Sequence, residues 1–85
     1  MMNKDELVNV SKNMVKEYHN RYVNKYFNVT KPITVDNVEV IGYHDDQTTM
    51  WVLLTVPTSD ELKYEVSYSK KTGQIHSFVH DNKKK

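Results

Sequence analysis

The hydrophobic pattern of the chain changes period once, around Pro32, and this limits the folds open to it. Before the proline, apolar and aromatic residues recur every three or four positions, the spacing of one helix face. After it they alternate, the spacing of strands with two different sides. With 85 residues there is room for one domain and one core. A lone amphipathic helix has to bury its stripe against the sheet that follows.

The helix is expected over residues 4–28. Asn3 is placed to cap it, and Glu6, three positions on, completes a capping box. At 100° per residue, Leu7, Val8, Ser11, Met14, Val15, Tyr18, Tyr22, Tyr26 and Val29 share one face, which makes the tyrosines core residues. Asn9, Asn13, Lys16, Asn20 and Asn24 fall on the solvent side. Val23 and Phe27 lie off the stripe, which implies either a small exposed apolar patch near the helix end or a bend that buries them. Pro32 ends the helical reading.

Four strands follow. Residues 33–44 read as one strand with an interruption at Asp36-Asn37, and residues 49–57 as a central strand apolar on both sides. Residues 62–69 alternate, with Leu62, Tyr64, Val66 and Tyr68 on one side, and residues 74–80 form the last strand. The links are short, and Gly73 supplies the positive φ of a bulged hairpin turn. Short links between successive strands imply an antiparallel meander. The expected fold is therefore α+β: one long N-terminal helix packed on a four-stranded antiparallel β-meander, a single domain over residues 1–82. A frayed lysine tail over 83–85 would follow it.

At the last hairpin, Tyr64-Glu65-Val66, the turn Lys70-Lys71-Thr72-Gly73-Gln74 and the following Ile75 resemble the closing hairpin of PepSY-type domains. The order of a helix followed by a strand meander is also similar to cystatin-like domains, including small exported proteins of Gram-positive bacteria. The resemblance implies a small inhibitory or adaptor module of an exported Gram-positive protein. The Lys-, Asn- and Tyr-rich, alanine-free composition also suits a phage or other mobile element of an AT-rich genome.

Several functions are disfavoured by what the chain lacks. It has no cysteine, hence no disulfide, thiol nucleophile or Cys-ligated metal. It carries no nucleophile elbow, phosphate-binding glycine loop or zinc-hydrolase helix motif, and Asp60-Glu61 belong to an expected exposed turn. An enzyme is not expected, nor is a cofactor. His76 and His80 would stand about 13 Å apart on a strand, too far to share an ion. His44 with Asp45 and Asp46 is the better metal-like cluster, but paired acids are ordinary turn residues, and no metal site is expected. No apolar run is long enough to span a membrane. The first ten residues lack the apolar core of a signal peptide, so the chain reads as cytoplasmic as it stands, or as exported if a leader was trimmed from it.

Charge is blocky. The segments 1–31, 32–62 and 63–85 carry +3, −6 and +4, a distribution that can steer a charged partner. Lys4, Lys12, Lys16, Arg21 and Lys25 on the helix make nucleic-acid binding a competing reading, opposed by the acidic middle third and by tyrosines that read as core. The favoured reading is a protein-binding module, an inhibitor or adaptor. One helix covers one side of a sheet, and the other side is expected to gather Ile41, Tyr43, Trp51, Leu53, His76 and Phe78, with Val23 and Phe27 as a second patch. The same features also fit a phage-type inhibitor of a cytoplasmic host or defence enzyme, or a homo-oligomeric structural component.

Overall fold

The computed structural model describes residues 2–23, 32–57 and 62–81, the side chains of Val23, Leu62 and Asp81 excepted. Tyr26, Phe27 and Val29, the turn around Asp60-Glu61, and the lysine tail lie outside the described residues. So do the last turn expected of the helix and the side of the sheet expected for Leu62.

Helix α1 spans Lys4–Tyr18. The Asn3 Oδ1 accepts the Glu6 N–H at 2.9 Å, and Glu6 Oε1 accepts the Asn3 N–H at 3.0 Å, so the capping box closes as the spacing predicts. Asp5 and Glu6 in the first turn and Lys16 in the last complement the helix dipole. The chain then widens into a π-helical turn over His19–Val23. At this turn the Asn20 carboxamide brackets the backbone of Ile33: its Nδ2 donates to the Ile33 carbonyl at 3.0 Å, and its Oδ1 accepts the Ile33 N–H at 2.8 Å. Asn20, expected on the solvent side, is instead the clamp that ties the helix end to the chain entering the sheet.

A 3-10 turn at Val35–Asn37, closed by Thr34 and Asn37, stands at Asp36-Asn37, and the strand expected over 33–44 begins only after it, at Glu39. Strands β1 (Glu39–Asp45), β2 (Thr49–Thr55), β3 (Leu62–Ser69) and β4 (Ile75–Asp81) follow. All neighbours are antiparallel and the order is β1-β2-β3-β4, the expected meander. Gly73 adopts φ 76° and lets the last hairpin turn.

The core lies between α1 and one side of the sheet. Met50, Val52 and Leu54 of β2, Val56 just beyond it, and Tyr64, Val66 and Tyr68 of β3 are buried. From the helix, Leu7, Ser11, Val15 and His19 meet them at intervals of four, and Ile33 and Val38 close the end. Burial leaves the Tyr64 hydroxyl with a pKa pushed up to about 12, so it stays protonated. Tyr22, expected in the core, is 44% exposed and Tyr18 37%. Helix α1 packs chiefly on β2 and β3. The side of its stripe facing β4 therefore has only half a wall. There Tyr18 leans edge-on against Tyr64, ring centroids 5.8 Å apart, and Tyr22 packs on Tyr18 at 5.1 Å. An apolar groove of about 530 Å³ runs beside them, walled by Met14, Tyr18, Tyr22, Tyr64 and Val79.

Candidate functional site

On the side of the sheet away from α1, cross-strand pairing sets the side chains in three rows. His44, Trp51, Ser67 and His76 form one; Gly42, Leu53, Glu65 and Phe78 the next; Glu39, Thr55, Lys63 and His80 the third. Trp51 and Leu53 are half-buried in the middle, and Phe78 is 55% exposed. The centre is thus aromatic and aliphatic with one carboxylate, and the rim is polar.

Local chemistry holds this surface in shape. The His44 ring stacks on Trp51, centroids 5.3 Å apart and planes 24° from parallel. His44 Nε2 lies 3.0 Å from Asp46 Oδ2, which fixes the imidazole over the indole. Asp46 in turn accepts the backbone N–H groups of Thr48 and Thr49, both at 2.9 Å. The Thr48 bond first, then His44 and Thr49, hold its carboxyl well below the usual carboxylate range. Lys70 donates to Asp45 Oδ1 and to the Asp46 carbonyl, tying the first hairpin to the last. On the third strand, Glu65 Oε1 sits 3.3 Å from His80 Nε2.

Trp51, Leu53, His76 and Phe78 all lie on this uncovered side, as the alternation predicts. Tyr43 does not. It pairs with Val52, packs against the core from the helix side, and has the Lys4 ammonium 4.8 Å above its ring. The reason is a register shift between Val40 and Gly42. This bulge adds one residue, Ile41, which is 46% exposed. Simple alternation then fails across it, and Ile41 and Tyr43 no longer share a side. Gly42 carries no Cβ where one would stand 3.4 Å from the Leu53 Cβ, so β1 closes tightly over Leu53. Of the second expected patch, the Val23 side chain and Phe27 lie outside the described residues.

Alternation along β3 and β4 also puts Glu65 and His80 on this side, but counting along β1 missed His44 as a member of the surface. The signal that finds His44 is the turn: the Asp46 N–H donates to the Thr49 carbonyl, and this pair sets His44 opposite Trp51. Among the described residues, no group of three or more His, Asp or Glu is placed to hold a metal ion. No helix among them is long and apolar enough to cross a membrane. No family model, curated protein or solved structure matches the chain.

Proposed function

We propose that the protein is a small non-enzymatic binding module, an inhibitor or adaptor that docks a partner protein through the sheet surface opposite its helix. The observation that carries this reading is the set of Trp51 and Leu53 on β2 and Phe78 on β4, flanking Glu65 of β3, with no helix among the described residues over them. Exposed aromatic and aliphatic groups ringed by polar ones have the make-up of an interface centre and its rim. The stacked His44 keeps the indole in one orientation and lowers the entropy that docking would cost. The likeness of the closing hairpin, Tyr64 to Ile75, to PepSY-type domains points toward the same kind of small inhibitory module.

The test is crosslinked capture by tagged protein from a Gram-positive lysate and, separately, from its cell-wall extract, followed by affinity measurement on the purified partner. Trp51→Ala and Phe78→Ser should each weaken binding by about 2 kcal/mol, roughly thirtyfold. Tyr22→Ser, on the groove side, should leave it unchanged. A partner lost with Tyr22→Ser and kept by the Trp51 and Phe78 variants would move docking to the groove. Capture of a wall hydrolase or protease fits an exported module, and capture of a cytoplasmic nuclease, polymerase or defence enzyme fits a phage-type inhibitor.

A further inference from the structure

The sheet has two edges, and they are built differently. The β1 edge is broken by the bulge between Val40 and Gly42 and carries Glu39 and Asp45 at its two ends. Bulges and charges are the usual means of keeping an edge from recruiting another strand. Strand β4 has no bulge and carries one charge, Asp81, at its last residue. It pairs with β3 in unbroken register over seven residues, and from Ile75 to His80 it contains no Lys, Arg, Asp, Glu, Pro or Gly.

The hydrogen-bond alternation says which groups point outward. The Ser69 N–H donates to the Gln74 carbonyl at 2.9 Å, which makes that pair hydrogen-bonded. Every second pair thereafter is hydrogen-bonded too, so His76, Phe78 and His80 direct their backbone N–H and C=O groups at β3. Ile75, Ser77 and Val79 direct theirs away from the sheet. Among the described residues no strand lies on that side of β4.

We propose that this edge pairs with the same edge of a second copy, β4 antiparallel to β4 about a twofold axis at Ser77, to give one continuous sheet. In that register Ser77 meets Ser77, Ile75 meets Val79, and His76 meets Phe78 of the partner copy. All three outward-facing residues then find hydrogen-bonded mates, whereas a shift in either direction strands at least one of them. The side chains agree with the backbone: an aliphatic pair forms on the helix side and an aromatic pair on the other. The exposed Val79 and Phe78, 40% and 55% accessible, gain cover. Charge agrees as well. The uncharged strand centres meet without repulsion, and the register sets Asp81 of one copy opposite Gly73 of the other, two positions from Lys71. The contact is isologous and closes at two copies, so it does not propagate. It leaves both uncovered sheet surfaces on the same side of the dimer, with Trp51 and Leu53 of β2 away from the seam and Phe78 shared between the seam and the docking surface proposed above.

Sedimentation velocity over a wide range of concentration reads the outcome. The wild-type chain should shift from monomer to dimer as concentration rises. Ser77→Pro removes an N–H that β3 does not use and blocks pairing; Val79→Lys places a charge at the same edge without altering the backbone. Both should remain monomeric with the far-ultraviolet circular dichroism of the wild type. Amide exchange on the wild-type dimer gives a reading that does not depend on a variant folding. The Ile75, Ser77 and Val79 amides should be protected at high concentration and exchange freely on dilution, while His76 and Phe78 stay protected throughout. A wild-type chain that stays monomeric at the highest concentration would overturn the proposal. So would a dimer that persists in both variants, or one in which those three amides exchange freely. An edge that instead accepts a foreign strand would appear as a monomer whose captured partner is lost with Ser77→Pro, and that too overturns self-pairing.

Discussion

Three polar atoms are sealed beneath α1 without a partner among the described residues: Ser11 Oγ, His19 Nδ1 and the Tyr64 hydroxyl. Each such group costs about 1–3 kcal/mol of unreturned hydration. His19 is the one whose cost varies with pH. Burial favours its neutral imidazole, and a hydrogen bond with Asn20 only partly offsets this, so it titrates below the ordinary value of 6.5. Below pH 6.5 the unfolded chain takes up a proton that the folded chain resists. Stability is thus unimpaired by His19 above that pH, and falls as the pH drops until it passes the folded value. Asp46 slopes the same way, but its contribution is present above its ordinary 3.8 and is lost only in stronger acid. The urea midpoint should therefore fall between pH 7 and pH 5, and His19→Leu should flatten that slope; an unchanged slope would exclude His19 as its source. Sequence reasoning did not find this residue. Tyr18 and Tyr22 outweighed a histidine on the helical wheel, and only the position of α1 over β2 and β3 shows which side of the stripe is closed.

At the scale of elements, the features legible in the sequence are those settled within a few residues. The capping box at Asn3 and Glu6, the non-strand turn at Asp36-Asn37 and the turn at Gly73 each follow from local geometry, and all are present. The bulge was hidden because it exists only as a shift of β1 against β2, between Val40 and Gly42, and nothing in residues 39–45 alone requires it. That single inserted residue is why alternation puts Tyr43 on the wrong side. The local rules make quantitative claims in turn. Asn3→Ala should cost about 1 kcal/mol by opening the cap. Gly73→Ala should cost roughly 1–2 kcal/mol, because an L side chain resists φ 76° even where nothing crowds it. Gly73→Asn should recover part of that loss. Denaturant titration of the three variants checks both elements, and a neutral Gly73→Ala would mean that the turn rearranges freely.

For the whole molecule, one shared core sits on the helix side of the sheet, with further apolar groups left outside it. Leu54 is fully buried in that core, whereas Tyr22 rests on its margin against Tyr18. Leu54→Ala should destabilise by about 2–5 kcal/mol. Tyr22→Ala should cost only about 1 kcal/mol, the worth of one aromatic contact. Equal losses in thermal melts would mean that the groove beside Tyr22 is closed in solution. The strand order has a consequence in time as well as in energy. Each strand pairs only with its neighbours along the chain, so no long crossover must be threaded before a sheet contact can form. Assembly can proceed hairpin by hairpin, each step closing a short loop at small entropic cost. The slower event is then the arrival of α1, the farthest element in sequence from β3, on a surface the strands have already built.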